Sequence, residues 1–516
     1  MNMHTVLLFA RHFFVLLAIP LYSVSCKEIN RTVAYTTFEK RGNACIFELP
    51  DEALSLTIEN VPLDSTVYIT KTNESPNVIP KDRAQYLTAV QGITLNAKQN
   101  NRVAETFLTA PSSDFTPPKT FTKYEKVVNF DKKAERTERK TKKLAEKDYC
   151  IGSQKDIYVD VNSEMSIYKK KSAHFAAQGI HCSVWIIDDY NTEQLQKSAS
   201  ILAKAFDSMY QTIRSFFGNE SDEMFCSYNG RYFEMKHMKY VSSTGTKVNI
   251  VLYDIGMKNN GLVGYFSSKD YFPQGKDYAS EMLTYSNEGK YIYIDSQWAE
   301  ADANICCSTL AHDFQHMIQY NQKTIIHGQI PNDSFNEMMA LLCENMMQQT
   351  PENNNLNSRL ALFNTGYADC GLEYRGESHY HAMLSYAVAY TFGAWLLNTC
   401  QKGSLIHNMA TNPYSDIKAI THATGKNIAT LLKEFSIDCV CKSQTNAYMW
   451  NVHKTEYDTK GYKYDGPSCY PYNAHHDIRP YGIVLIKIGK AEDTTISLKF
   501  NRKEFPQKEH TYIVIE

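Results

Sequence analysis

The chain of 516 residues carries no long apolar run beyond its first two dozen residues. A bilayer span needs about 20 such residues in a row, so an internal membrane helix is excluded. Charge of one sign is equally lacking: 54 Lys and Arg oppose 56 Asp and Glu, for a formal net charge of −2. Nothing global therefore points to a nucleic-acid partner. Internal repeats are absent, and so is any Gly-x-Gly pattern, which removes the phosphate-cradling loops. The 13 cysteines include two close pairs, Cys306-Cys307 and Cys439-Val-Cys441, but neither has companions at zinc-finger spacing. Packing or disulfides are left for them.

What is present begins with a targeting segment. Arg11 precedes the apolar stretch Phe13–Tyr22, too short to span a bilayer, and Ser23-Val-Ser25 offers small residues before a cut. Residues 1–25 read as a signal peptide, with Cys26 as the first mature residue. Two routes stay open there: a plain secretory cut, or lipid attached to Cys26, with Ser23 standing where an aliphatic residue is usual. The expected location is exported (periplasm, cell envelope, cell surface or medium), with membrane contact only through an N-terminal lipid. Lipid on Cys26 would leave twelve cysteines, an even number that disulfides could consume in an oxidising compartment. Oligomeric state is not encoded in any recognisable way.

Residues 26–110 read as a β-rich domain. Thr32–Thr37, Cys45–Leu49, Leu54–Ile58 and Thr66–Thr70 alternate apolar and polar positions between polar breaks. Residues 111–150 form a charged linker that opens on Pro117-Pro118 and runs into Lys132–Lys143, where Glu135 and Glu138 interrupt a basic run. The third region, 151–441, mixes both periods. Ile157–Val161, Cys182–Ile187, Val248–Tyr253 and Tyr291–Asp295 are predicted strands. Asn191 or Thr192 caps a helix whose apolar positions Leu195, Ile201, Leu202, Ala205, Phe206 and Met209 keep helical spacing to about Gly218. Residues 442–516 form a short β segment, with Gly482–Ile488, Thr494–Phe500 and Tyr512–Ile515 as its strands. So few strands do not make an independent module and should pack on a neighbour. The fold class is α+β.

The chemistry concentrates in Ala311-His312-Asp313-Phe314-Gln315-His316-Met317-Ile318, a run without Gly or Pro. On a helix His312 and His316 leave one face a turn apart, the bite that two imidazoles need to hold one zinc ion at about 2.0–2.1 Å. A third ligand is then sought downstream. Glu337 follows 21 residues beyond His316, in Phe335-Asn336-Glu337-Met338-Met339 at the head of a second helical run.

This pair of words resembles the gluzincins, the thermolysin-like zinc peptidases in which a glutamate completes the metal site. The metzincin pattern would need Gly and His where Gln319 and Gln322 stand. Within the gluzincins the wording is most similar to the hyicolysin family, with looser echoes in Gly264–Tyr271 and Ala389–Leu396, over roughly residues 180–440. The resemblance implies a zincin-like domain with Zn²⁺ on His312, His316 and Glu337 and a protein or peptide substrate. It also implies an edge strand before the first histidine helix, filled here by Tyr291–Asp295. For the oxyanion it implies a His or Tyr from the helical half, with His379, His381, Tyr386 and Tyr390 as candidates. Glu344 lies seven residues past Glu337 on the same helix face and is a candidate to accept a hydrogen bond from a ligating imidazole.

One residue departs from the family. Where a glutamate polarises the water, this chain has Asp313. Aspartate is one methylene shorter, and a general base must come within about 2.6–3.2 Å of its proton or act through one water. The leading expectation is therefore an exported zinc metallopeptidase weakened at Asp313. The rival is a catalytically inactive binding protein on a peptidase scaffold.

Overall fold

In a computed structural model of the chain, the residues described are 32–35, 38–50, 53–95, 149–162, 167–190, 192–225, 240–242, 247–255, 263–271, 274, 284–347, 355–373, 379–400, 402–441, 467–501 and 508–516. The signal segment, Cys26 and most of the charged linker lie outside them.

The chain opens with seven strands: β1 (Thr32–Tyr35), β2 (Glu39–Arg41), β3 (Ala44–Glu48), β4 (Ser55–Glu59), β5 (Thr66–Asn73), β6 (Tyr86–Gln91) and β7 (Ile93–Leu95). In β4 the apolar Leu56 and Ile58 are buried while Glu59 is exposed, the period-2 pattern of a strand with one wet face. β5 is different. From Val67 onward every residue is buried, which marks a central strand covered on both faces.

The middle of the chain builds a six-stranded mixed sheet. Its strands are β8 (Gln154–Asn162), β9 (Ile167–Gln178), β10 (Cys182–Ile187), β13 (Val248–Tyr253), β14 (Gly264–Phe266) and β15 (Tyr291–Asp295). A short hairpin, β11 (Glu223–Phe225) with β12 (Tyr240–Ser242), stands apart. The order is β14-β15-β13-β10-β9-β8. β10, β13 and β15 run parallel, and β14 is antiparallel to β15. Parallel strands need both faces covered. One face packs Trp185, Val251, Tyr253 and Tyr293 into an aromatic-rich layer, and the other turns Val184, Ile250, Leu252 and Ile292 to the helices. Tyr291–Asp295 is thus interior, a correction to its expected place at the rim. The edge strand on that side is β14, whose three residues are too few to register as a strand in sequence.

Helix α1 (Glu193–Phe217) covers this sheet. Thr192 caps it by accepting from Leu195 N at 3.1 Å, and Gly218 ends it at φ 91°. Leu202, Phe206, Met209 and Ile213 face the core, whereas Ile201 is 43% exposed. After β15 come α2 (Ser296–Ala301) and α3 (Ala303–Gln319), with α3 continuing into a π-helical turn over Tyr320–Ile326. Then follow α4 (Asp333–Met347), α5 (Asn355–Gly366), α6 (His379–Thr399), α7 (Lys402–Thr411), α8 (Asp416–Thr424) and α9 (Ile428–Val440). The architecture is mixed α and β.

The last strands are β16 (Tyr470–Pro471), β17 (Ile483–Ala491), β18 (Thr495–Asn501) and β19 (Glu509–Ile515). They do not form a separate segment. β5 lies between β17 and β19, and β18 lies between β4 and β6. Regions expected as two pieces, 26–110 and 442–516, therefore make one two-sheet unit. Closing a long loop costs little more than closing a short one, so strands some 400 residues apart can pair. Asp438 of α9 ties this unit to the helices by accepting from Arg41 Nη2 at 2.6 Å and Trp395 Nε1 at 2.8 Å.

Among the described residues no helix is long and apolar enough to cross a membrane. The eleven described cysteines are all free, so the disulfides allowed by the count are not formed among them.

Candidate metal centre

Helix α3 starts at Asp302, whose side chain accepts from Asn304 N at 2.9 Å. Leu310, Phe314, Met317 and Ile318 are fully buried and fix the rotation of the helix. Phe314 packs edge-to-face against Phe206 of α1 with ring centroids 4.9 Å apart. With that face committed to the core, His312 and His316 are presented together toward α4. Asn332 caps α4 by accepting from Phe335 N at 2.8 Å. Buried Phe335, Met338, Met339 and Leu342 seat α4 and turn Glu337 to the histidines.

The three side chains meet. His312 Nε2 and His316 Nε2 are 3.0 Å apart. Glu337 Oε2 is 3.3 Å from His312 Nε2, and Oε1 is 3.7 Å from His316 Nε2. Tetrahedral ligands at about 2.0–2.1 Å from one ion stand about 3.3 Å from each other. The observed separations bracket that value, so the donor set fits a divalent cation of the zinc type. Among the described residues this is the one group of His, Cys, Asp and Glu side chains that converges this way.

The electrostatics point the same way. Burial opposes charge on His312, but Glu337 and Glu344 outweigh it and raise the imidazole to about 10. Burial, then the charge on His312, lowers His316 to about 4. Glu337 and Glu344 thus favour positive charge at His312, and a bound cation would supply it.

Glu344 lies behind His312, its Oε2 3.4 Å from His312 Nδ1. Burial alone would raise this carboxyl, but Arg359 and His312 bring it down to about 2. Asp313, next to His312 on α3, packs beside Gly264 of β14. It is 1% exposed and its Oδ2 has no hydrogen-bond partner. A β-carbon placed on Gly264 of β14 would lie 2.8 Å from that oxygen. Burial raises the Asp313 carboxyl to about 8, with Glu337 and Glu344 adding to the effect against His312.

The oxyanion candidates scatter. Tyr390 is fully buried and donates to Asn345 Oδ1 at 3.0 Å. Gly393 of the same helix meets Met338 and Leu342, so α6 runs antiparallel to α4. Tyr386 then lies level with the C-terminal end of α4, whereas Glu337 is near its start. His381 is half-buried beside Tyr380, with rings 5.6 Å apart. His379 opens α6, and its side chain lies outside the described residues. Two residues were not anticipated. Gly264 carried a faint signal, as the first letter of Gly264-Tyr265-Phe266, and Arg359 carried none.

The buried His-His-Glu cluster on two helices beside a mixed sheet is a candidate metal site. Comparison with known proteins narrows this. The chain is 24% identical over 291 residues to the neutral metalloprotease ShpI of Staphylococcus hyicus, across 52% of this chain and 58% of that protein. It thus spans less than two thirds of that relative's length. No family model matches the chain. The chain has a distant metallopeptidase relative, and its site suits a metal cofactor.

Proposed function

We propose that the chain is an exported zinc metallopeptidase of gluzincin type, related to the hyicolysins, which hydrolyses peptide bonds. The observation that carries this reading is the convergence of His312 Nε2, His316 Nε2 and Glu337 within 3.0–3.7 Å. Bound there, zinc would polarise the scissile carbonyl and lower the pKa of a water towards about 7. The chain does the rest. Glu344 accepts from His312 Nδ1 and turns the ring's other nitrogen toward Glu337. Asp313 Oδ2, free of partners, takes the proton of the attacking water and passes it to the leaving amine. Among the described residues β14 pairs only with β15, and its other edge is where an extended peptide would add as a further strand.

The rival reading, a silent binding protein, draws on the same Asp313, whose side chain is one methylene shorter than glutamate and is packed beside Gly264 of β14. Casein or a fluorogenic peptide decides between them. Cleavage that chelator stops, zinc restores and His316→Ala abolishes supports the peptidase. Zinc-loaded protein that cleaves nothing supports the binder.

A further inference from the structure

Behind the three ligands stands a cation that the sequence does not announce. Arg359 lies on α5, and its Nη2 is 3.3 Å from Glu344 Oε2. The same oxygen is 3.4 Å from His312 Nδ1. One carboxylate oxygen therefore sits between a guanidinium and the ring nitrogen that faces away from Glu337. The side chains of Arg359, Glu344 and His312 are 16%, 7% and 11% exposed, so bulk water competes little for these contacts.

We propose that Arg359 is the positioning residue which, through Glu344, holds His312 with its proton on Nδ1 and its Nε2 lone pair aimed at Glu337 and His316. This rests on reading the cluster as a metal centre. A neutral imidazole has one lone pair, and the partner of its other nitrogen decides where that pair points. Glu344 is that partner, yet a carboxylate on a long side chain can rotate away. A guanidinium cannot lose its charge and donates from a rigid planar fork, so it pins the carboxylate in direction. The anchoring is mutual. Among the described residues Arg359 Nη1 has no hydrogen-bond partner and Nη2 donates to Glu344, so Glu344 in turn holds the guanidinium. Among the described residues the contact that Arg359 makes is to Glu344 and not to the three ligands, so Arg359 acts through Glu344.

Zinc affinity of the full-length protein tests this, read by titration against a chromophoric chelator. Substitutions behind a ligating histidine cost about 10–100-fold in affinity. Glu344→Gln should fall in that range, and Arg359→Gln should weaken zinc by about threefold to tenfold, at the low side because it acts at one remove. Arg359→Lys should recover part of the loss. In the Glu344→Gln background, Arg359→Gln should change affinity by less than about twofold, since its route to His312 is already cut. A merely structural role would cost the same in both backgrounds. Equal zinc affinity in the parent and Arg359→Gln overturns the proposal, and so does an undiminished effect in the Glu344→Gln background. Should Arg359→Gln fail to fold, Arg359→Lys carries the same pair of comparisons. A parent that takes up no zinc at all overturns the metal reading itself, an outcome distinct from either.

Discussion

Replacing Asp313 with glutamate probes the site most sharply. Its carboxylate is buried, unpartnered on Oδ2, and stops where a β-carbon on Gly264 would lie 2.8 Å away. Glutamate adds one C–C bond, about 1.5 Å of reach. A general base contributes about 10²–10⁴-fold, and only when its oxygen comes within hydrogen-bond range of the proton or one water away. If Asp313 works through an intervening water, Asp313→Glu should raise kcat by about 10- to 100-fold with little change in KM. The extra methylene enters a filled site, so stability should fall by about 1–3 kcal/mol. The assay is chelator-sensitive cleavage of a fluorogenic peptide by parent and variant at matched zinc occupancy. A silent parent beside an active variant would identify the natural protein as a binder. An unchanged or lower rate at full occupancy would refute the placement of Asp313 as proton acceptor.

Other outcomes follow from the same geometry. The Asp313 carboxyl is held at about 8 in the metal-free fold against about 3.9 when unfolded. The fold thus prefers the protonated form. Its penalty is absent below about pH 3.9 and grows as pH rises to about 8. Asp313→Asn should therefore stabilise metal-free protein by an amount that climbs between pH 4 and 8 in thermal melts; a flat gain would contradict the cause. Phe314 is fully buried against Phe206, so Phe314→Ala should cost about 3–5 kcal/mol in denaturant unfolding; a loss under 1 kcal/mol would mean that α3 is not seated by this ring. A single cut between residues 96 and 148 should leave the N-terminal piece attached through native gel filtration, because β5 is paired on both edges. Separation of the pieces would contradict that pairing.

Legibility in the sequence followed the range of the interaction. The strands Cys182–Ile187, Val248–Tyr253 and Tyr291–Asp295 coincide with the observed elements because each is short, mostly apolar and rich in β-branched and aromatic residues. Thr192 and Gly218 bound α1 as their capping chemistry dictates. His312 and His316 were readable as a pair because helical spacing is a local signal, whereas Glu337 came from the resemblance to the gluzincins; the structure brings those three together. Pairing across the chain was not readable. Nothing in Ile483–Ala491 says that its neighbour is Thr66–Asn73, since alternation sets a face but not a partner. The three-residue β14 is too short for a period. Arg359 was invisible because a single arginine has no pattern, and its meaning comes only from the 3.3 Å to Glu344.

Metal content of the purified full-length chain tests the central claim most directly. Inductively coupled plasma analysis after dialysis against trace zinc should give about one zinc per parent chain. Glu337→Gln, handled alongside, should retain a small fraction of that. No zinc in a folded parent, or equal zinc in Glu337→Gln, would contradict a shared coordination sphere for His312, His316 and Glu337.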